Sequence, residues 1–203
     1  MVTRIGINGF GRIGRNILRA FFEEAPKGLD IVAINDLSPI EASAFLLEHD
    51  TSHGHLGFDV KVEDSRIISK HGAIHYSSCE SPSHIDWGGY GVDIVFECTG
   101  AFSQAADAKQ HLHSGAKKVI ISAPGKEVDN TVVFGVNHET LTKIDIIVSN
   151  ASCTTNCLAP IAKVLHEVVG IKRGFMTTIH SYTGDQPELD TMHKDLYRTR
   201  AAR

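Results

Sequence analysis

Cys153 and His180 are the residues of this 203-residue chain whose types and settings suit covalent chemistry on a carbonyl. Ser149-Asn150-Ala151-Ser152-Cys153-Thr154-Thr155-Asn156 runs from a strand end into a helical pattern predicted over 154–169, which Pro160 must disturb. A cysteine at such a junction meets the unsatisfied N–H groups and positive dipole end of a helix. These favour thiolate and can hold an oxyanion as the thiolate adds to a carbonyl. Cys157 lies one turn further in and reads as a packed structural thiol, as does Cys98 at the end of an apolar run. Thr177-Thr178-Ile179-His180-Ser181 closes a β-branched segment predicted as a strand over 174–180. An imidazole there can take the proton of a thiol or hemithioacetal. By type alone, a strand-end histidine is more often structural.

A second constellation suits a dinucleotide. Gly9-Phe10-Gly11-Arg12-Ile13-Gly14 matches G-x-G-x-x-G between the strand Ile5–Asn8 and a helical run carrying Ile13, Ile17, Leu18, Phe21 and Phe22. Gly9 permits the tight turn, Gly11 lets the backbone approach a pyrophosphate, and Gly14 lets helix and strand pack closely. The strand Ile31–Asn35 completes a βαβ unit, and Asp36 follows where an acid accepts from both ribose hydroxyls and repels a 2′-phosphate. NAD is therefore the expected cofactor, in preference to NADP.

The elements around these residues alternate. Short hairpin-like strands are expected between Asp50 and Gly89. A strand follows at 92–98, a helix at 104–113, and strands at 118–122, 131–135 and 145–149; residues 181–203 read as a polar loop. The pattern predicts an α/β fold of the Rossmann type: a doubly wound, mainly parallel sheet over 1–150, followed at 151–203 by the incomplete start of an α+β catalytic domain. His49, His53 and His55 lack a third or fourth ligand at convincing spacing, so no metal site is expected.

Composition narrows the class. A chain with 42% hydrophobic and 22% charged residues is ordinary for a globular protein, and a net charge of -4 argues against nucleic acid or an acidic membrane as partner. Four cysteines in a chain this long do not suggest a stapled secreted domain. The N-terminus enters a strand without a charged leader, and no apolar run approaches bilayer length, so a cytoplasmic location is expected.

INGFGRIGR, AIND, VDIVFECTG, GAKKVIISAP, SNASCTTNCLAP, TTIHSYTGDQ and HKDLYRTRAA occur in the order and spacing of one family. By these motifs the sequence resembles the phosphorylating glyceraldehyde-3-phosphate dehydrogenases, near-continuously from Arg4 to Ala202. The resemblance implies a glycolytic reaction in which the Cys153 thiolate adds to the aldehyde of glyceraldehyde 3-phosphate, hydride passes to the nicotinamide, and inorganic phosphate attacks the thioester. It implies Ser152 and Thr154 at the attacking phosphate, Thr183 at the substrate phosphate, and Arg12, Ile13, Asp36, Thr99 and Ser122 around the cofactor. It also implies a homotetramer in a longer parent protein, since family members continue past Arg203, and a truncated or clipped chain is the expectation. Glu80 stands where the family commonly has arginine, and Thr191-Met192 replaces a Leu-Pro pair associated with strict NAD preference. Erythrose-4-phosphate dehydrogenase, suggested by Asp50-Thr51-Ser52-His53-Gly54, and a non-catalytic NAD-binding module are the competing readings.

Overall fold

The computed structural model describes residues 2–181, 183, 184, 186, 191, 192 and 196–201, without the side chain of Arg198. Tyr182, Arg203 and, from the HKDLYRTRAA motif, His193, Lys194, Asp195 and Ala202 lie outside the described residues. The chain divides into two compact units, Met1–Val164 and Leu165–Arg203.

The first unit is built on the βαβ unit read from the sequence. Strand β1 (Thr3–Asn8) leads through the glycine turn to helix α1 (Arg12–Glu24), which returns to β2 (Leu29–Asn35). α1 buries Gly14, Leu18 and Phe22, residues four apart that share one face. It ends where Ala25 turns left-handed and its N–H reaches the Phe21 carbonyl. Arg19 is also buried, with its guanidinium donating to the carbonyls of Leu47 (2.8 Å) and Gly54 (2.9 Å). That bond pair ties α1 to helix α2 (Ile40–Glu48) and to the small hairpin of β3 (His49–Asp50) and β4 (Gly54–His55). α2 was not anticipated: it has only nine residues and a weakly amphipathic pattern between two stronger signals.

The next strands are β5 (Lys61–Glu63), β6 (Arg66–Ser69) and β7 (Gly72–Ser77), followed by β8 (Ile94–Glu97), helix α3 (Ala105–His113), β9 (Lys118–Ile121), β10 (Asn130–Thr131) and β11 (Ile147–Ser149). They join one nine-stranded sheet in the order β10-β11-β9-β8-β1-β2-β7-β6-β5. All neighbours are parallel except the antiparallel pairs β7–β6 and β6–β5. The expected α/β sheet is therefore present. The hairpin-like stretch extends it, because β7 pairs in parallel with β2. The strand expected at 131–135 shrinks to two residues; beyond it Asn137 folds back, accepting from the Val133 N–H and donating to the Thr131 carbonyl. Core packing is continuous from Ile5, Ile7 and Leu18 to Ile34, Leu47 and Ile67. Trp87, Val92 and Val95 with Ile85 form a second cluster.

Helix α4 (Cys153–Val169) begins one residue earlier than predicted and carries Pro160 inside it. None of its residues is buried. Cys157 is consequently exposed rather than packed, and the apolar positions Ile161 and Val164 are open as well. In the second unit α4 ends at Gly170, left-handed with φ 72, whose N–H donates to the His166 carbonyl. The strand expected at 174–180 is absent: these residues belong to no strand, and each is exposed. A β-branched run becomes a strand only when a neighbour accepts its ladder of hydrogen bonds, and among the described residues none does.

Candidate active site

The three glycines occupy three different environments. Gly9 has φ +89, and a Cβ on it would lie 2.6 Å from the Thr99 nitrogen. At Gly14 a Cβ would lie 2.2 Å from the Gly9 carbonyl oxygen, so only glycine allows α1 to approach β1 this closely. At Gly11 a Cβ would meet nothing within 4 Å. Its smallness serves no packing need, which leaves the approach of a ligand as the use. Gly11 caps α1 without any side-chain hydrogen bond, so the helix offers N–H groups and its positive dipole end toward that space.

A cleft of about 450 Å³ opens there, lined by Asn8, Gly9, Gly11, Asp36, Cys79 and Thr99, among others. Asp36 accepts from the Phe10 N–H at 2.6 Å and from the Ser38 N–H at 2.8 Å, one donor to each oxygen. Each oxygen keeps a second lone pair for a ribose hydroxyl. Glu80 lines the same cleft, so two carboxylates face it where the expected arginine would bring positive charge. Arg12 is exposed and pairs with Asp50 at 3.2 Å. The Asp50 carboxyl is held below its ordinary value first by the His53 N–H, and also by the Ser52 N–H and the Arg12 guanidinium. Ile13 is half exposed in the first turn of α1. Ser122 does not line the cleft; its N–H donates to the Glu97 carbonyl at 3.0 Å, beside Cys98. Burial pushes the Cys98 thiol up to about 12.

Cys153 starts α4 immediately after a tight turn. Ala151 is buried with φ 58, a left-handed conformation that costs a residue with a Cβ about 1 kcal/mol. Its N–H donates to Ser149 Oγ, which also accepts from the Gly125 N–H and donates to the Ala123 carbonyl. Ser152 caps the helix, its Oγ accepting from the Thr155 N–H at 3.0 Å. Asn156 Nδ2 donates to the carbonyls of Asn150 (2.7 Å) and Ser152 (2.9 Å), closing the turn from the other side. The result is an exposed Cys153 in the first turn of a helix. Thr154, half-buried, is the next residue. No disulfide engages any of the four cysteines.

His180 and Thr183 belong to the second unit, and both are exposed. His180 Nδ1 lies 2.6 Å from the Ser181 carbonyl, which only accepts, so Nδ1 carries the proton and Nε2 the basic lone pair of the neutral ring. The Thr183 N–H donates to Gln186 Oε1 at 3.2 Å.

Elsewhere, Glu48, His49 and His55 bring one ligand-type atom each within 4.8 Å of the others. The Gly57 N–H donates to His55 Nδ1 at 3.0 Å, which puts the ring proton on Nε2, facing Glu48 Oε1 at 3.2 Å. That is a carboxylate–imidazole hydrogen bond, and the Nε2 lone pair a metal would need is taken by the proton.

Sequence reasoning missed the layer beneath the cleft. Glu97, 1% exposed, receives Asn8 Nδ2 (2.6 Å), His111 Nε2 (2.8 Å), the Thr99 N–H (2.8 Å) and the Thr99 hydroxyl. Its signal was a charged residue inside the apolar run Val92–Cys98, which must be paired if buried.

Residues 3–105 match the family model of the glyceraldehyde 3-phosphate dehydrogenase NAD binding domain, and residues 152–203 that of the C-terminal domain of the same enzymes. The chain belongs to the glyceraldehyde-3-phosphate dehydrogenase family. It is 55% identical over 202 residues to the glyceraldehyde-3-phosphate dehydrogenases of Cereibacter sphaeroides and Xanthobacter flavus, covering all of this chain and 60% of each relative. It is 51% identical to that of Geobacillus stearothermophilus, again covering all of this chain and 60% of the relative. The chain thus spans about 60% of the length of these relatives. It carries the NAD-binding domain of the family, and the open Gly11, the uncapped α1 and the acceptor Asp36 fit that cofactor.

Proposed function

We propose that the chain serves NAD-dependent phosphorylating oxidation of glyceraldehyde 3-phosphate, with Cys153 as nucleophile. The observation that carries the reading is an exposed thiol in the first turn of α4, behind a left-handed alanine. A strained turn that aims one side chain at a helix start is a cost that local packing does not explain. In this reading residues 1–150 hold the cofactor and residue 151 opens the catalytic domain.

The Cys153 thiolate bonds to the aldehyde carbon, and the helix N–H groups stabilise the resulting oxyanion. His180 Nε2 takes the thiol proton of Cys153, gives it to the oxyanion to form the hemithioacetal hydroxyl, and takes it back as the C–H bond breaks. Bound NAD would supply the acceptor for the hydride. Inorganic phosphate, held by Ser152 and Thr154, attacks the thioester carbon, and the Cys153–carbon bond breaks to return the thiolate and release the acyl phosphate. Thr183 holds the phosphate of the substrate. Gly9, Gly11, Gly14, Arg12, Ile13, Asp36 and Thr99 position the cofactor, and Ser122 supports the site from beside the cleft through its bond to the Glu97 carbonyl.

The relatives, named glyceraldehyde-3-phosphate dehydrogenases, favour the triose over erythrose 4-phosphate. A homotetrameric parent and a cytoplasmic location belong to the same proposal; among the described residues, no helix is long and apolar enough to cross a membrane. The test is NADH formation from glyceraldehyde 3-phosphate, with and without inorganic phosphate, beside erythrose 4-phosphate. Phosphate-stimulated turnover of the triose is expected, falling about a thousandfold or more in Cys153→Ala. Equal turnover of the variant, or turnover without phosphate dependence, would overturn the proposal.

A further inference from the structure

Five buried side chains form one hydrogen-bonded line under the cofactor cleft. Trp87 Nε1 donates to His111 Nδ1 at 2.9 Å. Indole nitrogen only donates, so Nδ1 is the acceptor and the proton of the neutral ring sits on Nε2. Nε2 in turn donates to Glu97 Oε2 at 2.8 Å. Asn8 Nδ2 donates to the same oxygen at 2.6 Å, and Asn8 Oδ1 accepts from Asn35 Nδ2 at 2.9 Å. Trp87 and His111 are 0% exposed, Glu97 1% and Asn8 2%.

Asn8 Nδ2, His111 Nε2, the Thr99 N–H and the Thr99 hydroxyl fill the four acceptor positions of the two Glu97 oxygens, the arrangement that suits a carboxylate. The His111–Glu97 contact is therefore a neutral imidazole donating to a buried anion and not an ion pair. A buried charge without a cationic partner is costly unless every lone pair is used, and here all are. A structural core seldom needs such a group, but a cleft above it can use the orientation it imposes. The Thr99 hydroxyl gives its hydrogen to Glu97 Oε1 and accepts from the Ala101 N–H at 3.0 Å. It has one lone pair left and no hydrogen, and Thr99 lines the cleft.

We propose that Glu97 is a positioning residue for the cofactor, holding the Thr99 hydroxyl so that it meets a bound dinucleotide as an acceptor only. The Trp87–His111 pair keeps Glu97 in place, and Asn8 and Asn35 carry the same carboxylate's grip to the ends of β1 and β2. The inference rests on the cofactor reading of the cleft. It also identifies the ligand groups Thr99 can take: a hydroxyl or amide N–H, never a phosphate oxygen.

The test is NAD titration of the full chain with Glu97→Gln, Thr99→Val and the double variant. Glutamine turns an NH₂ toward two of the four donors, so NAD affinity is expected to fall about 10- to 100-fold, the worth of hydrogen bonds to a charged group. If Glu97 acts through Thr99, the two losses overlap and the double variant is little weaker than Glu97→Gln. Additive losses, or unchanged affinity in a folded Glu97→Gln, would overturn the proposal. If Glu97→Gln does not fold, imidazole nitrogen NMR of the unaltered chain decides: a His111 ring protonated on Nε2 and bare on Nδ1 is expected, and the opposite tautomer or a doubly protonated ring defeats the scheme. Failure of the unaltered chain to bind NAD would count against the cofactor reading itself, and the tautomer result stands apart from it.

Discussion

The floor of the cofactor cleft and the turn that presents Cys153 are built on different length scales. Beneath the cleft, the hydrogen bonds that link Glu97, Asn8, Asn35 and His111 to one another join residues 14 to 89 positions apart, and all four are buried. At the cysteine, Ala151, Ser152 and Asn156 are bonded to partners two to six positions away, and α4 buries nothing. Ser149, through Ala123 and Gly125, and the Asn150 N–H, donating to the Ile121 carbonyl of β9, root that turn in the sheet. A site assembled from distant strands exists only when the sheet is folded. A site assembled from one strand end and one helix start carries most of its geometry in its own sequence.

Reactivity should separate the two regions most sharply. Cys98 lies on the cleft side with its thiol pushed up to about 12. At neutral pH its thiolate fraction is therefore about 10⁻⁵, while a thiol in the first turn of a helix is activated. Iodoacetamide followed by peptide mapping is expected to modify Cys153 well before Cys98; early labelling of Cys98 would dissolve the contrast. The sign of the linkage follows: folding disfavours the Cys98 thiolate, so stability is intact below the ordinary thiol value of 9.0 and declines as pH rises toward 12.

Next in size are two alanine substitutions three positions apart in the chain but opposite in kind. Gly14→Ala drives a Cβ into the Gly9 carbonyl and is expected to cost about 2–4 kcal/mol in urea unfolding. Gly11→Ala meets open space, so stability should hold within about 0.5 kcal/mol while NAD affinity falls. Equal destabilisation by both would mean that the glycines serve packing alone.

The smallest effect belongs to Asp50, which the His53 and Ser52 N–H groups and Arg12 hold below its ordinary carboxyl value of 3.8. A depressed acid contributes stability above that value and loses it as pH falls further. Asp50→Asn should lower stability by about 0.5–1 kcal/mol at neutral pH, converging with the parent chain at strongly acidic pH. With Arg12 52% exposed, salt should reduce the difference.

Local signals made much of the molecule legible. The strand, glycine turn and helix of the first βαβ unit follow from apolar periodicity and from three glycines at a fixed spacing, and the helix start at Cys153 follows from a polar turn between two apolar patterns. Each is decided within about ten residues. The strand expected at 174–180 failed for the complementary reason: β-branched residues prefer extended backbone, but pairing is a property of a neighbour. Cys157 failed likewise, because helical spacing tells which face is apolar and not whether anything covers it. α2 escaped notice because nine residues give weak periodicity.

The sequence by itself determined the glycine turn, the acid at Asp36, the cysteine at a helix start and the alternating α/β plan, since these rest on backbone sterics, unsatisfied N–H groups and side-chain period. Only the tertiary structure decided that β7 extends the parallel sheet beside β2, that Ala151 is left-handed, and that Glu97, His111, Trp87 and Asn8 share one buried network. Those features need partners brought together from far along the chain, and a buried carboxylate has a role only once its four donors surround it.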